Sequence, residues 1–370
     1  MRVLLTGGGT AGHINPALAI AETIKGQDPH AVIEFVGIAG GKEADLVPRE
    51  GYRLHYVESM GIRRSLSLSN VKALWLALTS PYSRKTTKIL EDFQPDIVIG
   101  TGGYACWPIM AAAARKGIPT ALHESNALPG LAVRQLQGKV DRIWVNFERT
   151  KSLLKAQEKV VRVGNPLRGG FGAIGREEAA KKIGLANGQR LILSFGGSLG
   201  AEAVNSGVIE MMKLFSARHS NVLHVHAAGK RDFEATYKRF SEEGLDQTPN
   251  CRVVDYIYDM PYYMSAADLV ICRAGAMTLS EIALLKKCSI LIPSPYVADN
   301  HQYLNAKALA DAGAALLVEE KDLTGLLLSR HAEALLWDKA KQSQMASAVT
   351  AFADPEANRR IWEEITAMVK

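Results

Sequence analysis

Five short segments, three of them containing glycine, carry polar side chains or backbone groups in the patterns from which phosphate and sugar sites are built. The first is Gly7-x-Gly9-x-x-Gly12 followed at once by His13. Glycines there allow close backbone approach, and free N–H groups at a helix start attract an anion. His13 places an imidazole at that helix start, able to donate a hydrogen bond or to act as a base, or equally to cap or pack. Asn15-Pro16 fits the first turn of the helix. The second segment, Gly196-Gly197-Ser198, repeats the strand-to-helix arrangement with a hydroxyl added. In the third, Arg273 to Glu281, Thr278 and Glu281 lie one helical turn apart. A carboxylate there can accept both hydroxyls of a ribose diol, although Thr278-x-x-Glu281 also spells a capping box. The fourth, Asp299-Asn300-His301-Gln302, and the fifth, His123-Glu124-Ser125-Asn126, follow apolar runs, where ligands sit in open parallel sheets.

Several chemistries lose support. A nicotinamide site needs an acid at the end of the second strand, and that position is Gly37. The opening loop lacks the Gly-Lys-Ser/Thr of a nucleotide-hydrolysing P-loop, and no Asp-x-Asp or His-Glu-x-x-His occurs. Neither a metal nor a cofactor is expected.

These segments need strands to hold them. Short apolar runs at Val3–Thr6, Val32–Gly37, Leu54–Val57, Ile97–Gly100, Thr120–His123, Arg142–Val145 and Val160–Val163 alternate with amphipathic stretches. The rhythm resumes at Leu191–Phe195, Val222–Ala227, Cys251–Val254, Leu269–Cys272, Ser289–Ile292 and Ala315–Val318. Runs this short and continuously apolar predict parallel strands covered on both faces, hence a doubly wound α/β fold occurring twice. The predicted organisation is a first Rossmann-like domain over 1–163, a glycine-rich linker over 164–175 and a second over 176–347. Residues 348–370 end in a helix after Asp354-Pro355 that is expected to pack back on the first domain.

The chain has 370 residues, 47% of them hydrophobic, and a net charge of +6. Its four cysteines (Cys106, Cys251, Cys272 and Cys288) show no C-x-x-C spacing, which argues for buried thiols in a reducing cytosol. No run reaches the roughly 18–20 apolar residues of a membrane span, and the first strand is too short for a signal sequence. The basic excess is local. Arg63, Arg64, Lys72, Arg84, Lys85 and Lys88 lie in 61–90 without an acidic residue, interleaved with Leu74, Trp75, Leu76, Leu78 and Tyr82. Arg63, Arg64, Lys72, Trp75, Leu78, Tyr82, Arg84 and Lys85 together read as a patch for an anionic lipid surface, or as a core-facing helix with a solvated basic side. Nucleic acid is not expected as a partner.

Read in order, the chain resembles the MurG family of N-acetylglucosaminyltransferases. The likeness is carried by Gly8–His13, Glu43–Pro48, Gly100–Tyr104, His123–Asn126, Gly164–Arg168, Gly196–Ser198, Arg273–Glu281 and Asp299–Gln302. It implies a GT-B fold, two Rossmann-like domains with an interdomain cleft. It implies an inverting transfer of GlcNAc from UDP-GlcNAc to the muramyl 4-hydroxyl of undecaprenyl-diphospho-MurNAc-pentapeptide, converting lipid I to lipid II for peptidoglycan. Glu281 would take the ribose hydroxyls, Ile257 the uracil, Ser198 the diphosphate and Gln302 the sugar. Ala276, Met277, Thr278, Leu279 and Ser280 would line that pocket and Arg168 would read the nucleotide. Thr10, Ala11, Gly12 and Asn126 would close on the donor, while Gly102, Gly103 and Tyr104 would face the acceptor. His13 is the expected base and Glu124 the second candidate. The resemblance places the enzyme peripherally on the cytoplasmic face of the bacterial membrane, with cell-wall synthesis or division proteins as candidate partners. Ala11 and Leu199 depart from the family's usual glycine and glutamine. Rival readings are a glycolipid synthase acting on diacylglycerol, a UDP-sugar epimerase of the same fold and a nicotinamide oxidoreductase.

Overall fold

The computed structural model describes residues 1–59, 79–197 and 199–369. The chain divides into two compact units, Met1–Gly169 with Pro355–Lys370, and Gly170–Asp354. Each is a parallel sheet wrapped by helices.

Unit 1 contains β1 (Arg2–Thr6), β2 (Val32–Gly37), β3 (Arg53–Tyr56), β4 (Ile97–Gly100), β5 (Thr120–Glu124), β6 (Arg142–Val145) and β7 (Val160–Arg162). Their order across the sheet is β3-β2-β1-β4-β5-β6-β7. Every residue of β4 and β5 is buried, as strands covered on both faces should be, whereas the edge strand β3 is half-exposed. The order reverses between β1 and β4, so the loops leaving those two strands open a crevice at the carboxyl edge.

Unit 2 contains β8 (Arg190–Phe195), β9 (Val222–Ala227), β10 (Cys251–Val254), β11 (Leu269–Cys272), β12 (Ser289–Leu291) and β13 (Leu316–Leu317), ordered β10-β9-β8-β11-β12-β13. Its reversal lies between β8 and β11. All thirteen predicted strands are present, with no end shifted by more than one residue.

Helix α1 (Ala11–Gln27) follows β1 and buries Ile14, Ala17, Leu18, Ile20, Ala21 and Ile24 against the sheet. Because it begins at Ala11, Pro16 falls in its second turn rather than its first. The missing N–H deprives the Gly12 carbonyl of its helical partner. After α2 (Glu43–Arg49), α3 (Arg84–Phe93) starts with Ser83 accepting the Thr86 N–H at 3.1 Å. It turns Thr86, Ile89, Leu90 and Phe93 inward and Arg84, Lys85 and Lys88 outward. Helix α4 (Cys106–Arg115) leaves the loop after β4. In unit 2, α5 (Glu202–Phe215), α6 (Ala276–Leu284) and α7 (His301–Asp311) follow β8, β11 and β12.

The last helix, α8 (Ala357–Met368), belongs to unit 1 and packs on α1, with Ile361 and Ile365 fully buried. Asn358 clasps the Leu167 backbone through both its N–H and its C=O, and the Trp144 indole N–H donates to Glu364 at 3.3 Å.

Candidate functional site

In unit 1 the loops after β1 and β4 meet around His13. Its Nδ1 lies 3.2 Å from the Gly8 carbonyl and 3.2 Å from Thr10 Oγ1, and its own carbonyl accepts the Thr101 hydroxyl at 2.6 Å. Gly102 and Gly103, at φ 99° and 81°, lie against the imidazole. A Cβ on Gly102 would sit 2.8 Å from His13 Cδ2, and one on Gly103 2.1 Å from the Gly8 oxygen. Side chains are excluded at both positions by space as well as by backbone conformation. The Tyr104 ring covers Gly9, where a Cβ would lie 2.7 Å from its edge. The predicted acceptor residues Gly102 and Gly103 thus lie against the predicted base, and Tyr104 lies over Gly9 of the same loop. Ala11 opens α1 without a left-handed backbone, so the added methyl imposes no strain there. Gly12 stands in open space beside Thr10.

The opening loop is tied down by a residue to which the sequence reading gave no role. Glu43, only 1% exposed, accepts the Gly9 N–H at 3.1 Å and the Ile38 N–H at 3.1 Å. The Gly9 amide, one of the donors expected for an anion, is therefore already taken by a carboxylate of the chain itself.

Glu124 is buried at the end of β5, and both of its oxygens are engaged. Oε1 accepts the backbone and side-chain N–H of Asn126 at 2.9 and 3.1 Å, and Oε2 accepts the Gly130 N–H at 2.7 Å. Desolvation raises its pKa above the usual carboxylate value, against these hydrogen bonds. That geometry shapes the 126–130 loop and ties Asn126 into it. His123 is fully buried with Nε2 2.9 Å from the Gly164 carbonyl, and burial lowers its pKa to about 4. Arg168 forks onto Glu50 at 2.7 and 2.9 Å and reaches Glu22 at 3.4 Å, so its guanidinium is held within unit 1.

In unit 2, α6 begins at Ala276 with Gly275 as its N-cap, which puts Thr278 and Glu281 inside the helix and removes the capping-box reading. Ala276, Met277 and Leu279 are buried and Leu279 packs in the core, whereas Thr278, Ser280 and Glu281 remain accessible. Desolvation alone pushes the Glu281 carboxyl up to about 8, and no hydrogen-bond donor or cation among the described residues reaches it. A desolvated carboxylate without donors is a candidate binding group.

Beside it, Arg273 donates to the Ile292 and Pro293 carbonyls at 3.2 and 3.1 Å and forms a largely buried ion pair with Glu320. This fixes the loop after β12, whose Ser294 N–H in turn donates to Gln302 Oε1 at 2.9 Å. That bond accounts for the amide oxygen of Gln302. Asp299 and Asn300 reach α7 through left-handed backbone, φ 51° and 50°. Ile257 is buried in the unit 2 core at 6% exposure, with neither backbone N–H nor C=O paired among the described residues. Leu199 is exposed on the 197–200 turn, and Ser198 lies outside the described residues.

A buried polar chain underlies the loops after β8 and β9. Ser194 Oγ lies 2.9 Å from His224 Nε2 and 3.0 Å from His226 Nδ1, and His226 Nε2 lies 3.0 Å from Asn205 Oδ1. The Asn205 amide donates to the Ala228 carbonyl at 3.0 Å. Burial lowers the pKa of His224 to about 3 and of His226 to about 4. The signal available in sequence was His-x-His inside an otherwise apolar strand. Of the basic stretch, Tyr82, Arg84 and Lys85 are exposed, with the Arg115 guanidinium 4.2 Å from the Tyr82 ring centre. Arg63, Arg64, Lys72, Trp75 and Leu78 lie outside the described residues.

Two doubly wound units, one bearing a desolvated carboxylate suited to a diol and the other a histidine among glycines, define a nucleotide-sugar glycosyltransferase. Comparison with known families agrees: the glycosyltransferase family 28 N-terminal domain matches residues 3–145 and its C-terminal domain residues 191–361. A UDP-N-acetylglucosamine–N-acetylmuramyl-(pentapeptide) pyrophosphoryl-undecaprenol N-acetylglucosamine transferase of Acetivibrio thermocellus is 42% identical over 100% of this chain and 99% of its own length. One of the same name from Caldanaerobacter subterraneus is 41% identical over 98% of each chain. The crystal structure of Acinetobacter baumannii MurG superposes with a TM-score of 0.72 at 27% identity, covering 99% of both chains. The chain belongs to the MurG family of glycosyltransferases.

Proposed function

We propose that this enzyme transfers N-acetylglucosamine from UDP-GlcNAc to the muramyl 4-hydroxyl of undecaprenyl-diphospho-MurNAc-pentapeptide, the step from lipid I to lipid II. Full-length likeness to relatives bearing that activity in their names supports it. The observation in the chain itself that carries the donor assignment is Glu281, a desolvated carboxylate without a partner among the described residues, one turn from Thr278. It accepts the ribose hydroxyls, the unpaired peptide groups of Ile257 read the uracil edge, and the Gln302 amide donates to the sugar. Ala276 to Thr278, at the positive end of the helix dipole of α6, are assigned to the diphosphate together with Ser198 and Ser280. The family resemblance assigns Thr10, Ala11, Gly12, Asn126 and Arg168 of unit 1 to the donor as well. Arg168 must first exchange its fork on Glu50 for the nucleotide.

The acceptor binds at Gly102, Gly103 and Tyr104. His13 Nε2 takes the proton of the 4-hydroxyl as its oxygen attacks the anomeric carbon; the bond to the UDP oxygen breaks and UDP leaves with the electron pair. One displacement inverts the anomeric centre. Leaving-group charge falls on helix N-termini and hydrogen-bond donors. Glu124 holds the neighbouring loop.

The acceptor's lipid brings the enzyme to the membrane. No helix among the described residues is long and apolar enough to cross one. Docking on anionic lipid at the cytoplasmic face uses the basic, apolar stretch over 61–90, at about 1 kcal/mol per basic residue near the surface. Cell-wall synthesis or division proteins are the candidate partners there.

The deciding experiment incubates purified enzyme with UDP-GlcNAc and a short-chain lipid I analogue. Expected products are UDP and a β-linked disaccharide, formed equally well in EDTA. An epimerised UDP-sugar without transfer overturns the reading, and activity lost to EDTA and restored by magnesium overturns the metal-free mechanism. His13→Ala at near-wild-type turnover removes His13 as the base.

A further inference from the structure

The Gly8–Gly9 peptide group stands between two side chains of unlike chemistry. Its N–H donates to Glu43 Oε2 at 3.1 Å, and its carbonyl lies 3.2 Å from His13 Nδ1. A carbonyl only accepts, so Nδ1 holds the proton in that contact and Nε2 holds the lone pair. The Thr10 hydroxyl, also 3.2 Å from Nδ1, suits either tautomer and does not decide between them. Glu43 is in turn immobilised. The Ile38 N–H occupies its other oxygen, and Gly8, Gly37 and Gly41 enclose it so closely that a Cβ on any of them would lie 2.4 to 2.5 Å from its side chain. On the far side, Gly103 is pressed against the Gly8 oxygen.

We propose that Glu43 is a positioning residue which, through the Gly8–Gly9 peptide, fixes the Nδ1–H tautomer of His13 and raises the basicity of Nε2. A carboxylate at the N–H end of an amide polarises it and makes its carbonyl oxygen more negative. That oxygen then stabilises the imidazolium more than the neutral ring, which strengthens the base. The logic is that of a carboxylate behind a catalytic histidine, with one peptide group inserted between them. It explains why a carboxylate is buried at the centre of a glycine loop otherwise suited to an anion. Among the described residues, the other titratable groups against this cluster include Tyr104, over Gly9, and Cys106, whose Sγ lies 2.9 Å from the Gly102 carbonyl. Burial raises both, Cys106 to about 12, so neither titrates near neutrality.

The inference rests on His13 as the base, and two measurements separate them. Nitrogen-15 NMR of histidine-labelled wild-type enzyme needs no substitution: His13 is expected as the Nδ1–H tautomer, and the Nε2–H tautomer overturns the proposal. In kinetics, Glu43→Gln is expected to lower kcat on the order of tenfold, leave the KM for UDP-GlcNAc within about twofold, and move the acidic limb of the kcat/KM profile to lower pH. An unmoved limb overturns the proposal, as does a loss from Glu43→Gln that is just as large in a His13→Ala background. Near-wild-type turnover of His13→Ala alone instead overturns the base assignment on which the proposal rests.

Discussion

Glu281 is set apart by what it lacks, a hydrogen-bond donor or cation among the described residues. Its pKa is raised to about 8 by desolvation, so at pH 7 the free enzyme holds it mostly protonated, whereas a bound diol favours the carboxylate. UDP binding at pH 7 is therefore expected to release a proton, measurable by calorimetry in buffers of different ionisation enthalpy. Glu281→Gln should weaken UDP binding about 10- to 100-fold, the worth of hydrogen bonds to a charged group. Because the folded pKa lies above the unfolded one, Glu281 contributes stability at low pH that is lost as pH rises through about 8. The glutamine variant should consequently melt higher than wild type above that pH while binding UDP worse. Opposite signs for stability and binding mark a functional residue. At this scale the sequence was legible where a placement is local, as for Thr278 and Glu281, one turn apart in α6. Glu43 was not legible, because Gly9 and Glu43 are 34 residues apart and meet only when β2 lies beside β1.

Buried polar contacts hold the site-bearing loops at the scale of elements. The chain from His224 through Ser194 and His226 to Asn205 ties β8, β9 and α5 to the loop at Ala228. Both histidines are buried neutral, with pKa values lowered to about 3 and 4. Depressed folded values give stability that is present above about pH 6.5 and lost as pH falls toward 4. His226→Gln should flatten the decline of Tm between pH 6.5 and 4, and an unchanged slope would assign the acid sensitivity elsewhere. The Arg273–Glu320 pair does similar work for the loop that carries Gln302. Arg273→Ala strands Glu320 in a largely buried site and is expected to cost about 3–5 kcal/mol in urea unfolding. Helix α8 tests differently: Ile361→Ala should destabilise unit 1 by about 2–5 kcal/mol, since the side chain is fully buried against a folded sheet.

For the whole molecule, charge distribution matters more than the net value of +6. The described part of the basic stretch, α3, is amphipathic, with Arg84, Lys85 and Lys88 outward over a packed apolar face. Flotation with vesicles should show binding that rises with anionic lipid and falls with salt, and the doubly reversed Arg84→Glu/Lys85→Glu variant should bind several-fold more weakly. Binding indifferent to lipid charge would reject the patch.

The amino-acid sequence by itself determined the two parallel sheets, because a strand buried on both faces must read as an unbroken apolar run, whatever its partners. It also determined the site segments at the carboxyl ends of those strands, because glycine loops and first helical turns are local features. Tertiary structure decided which side chains meet. It committed the Gly9 amide to Glu43, forked Arg168 onto Glu50, folded both oxygens of Glu124 into a loop and left Glu281 with desolvation as its dominant influence. Those outcomes depend on strand order and on burial. Both are collective properties of the folded chain, and no single segment of its sequence contains them.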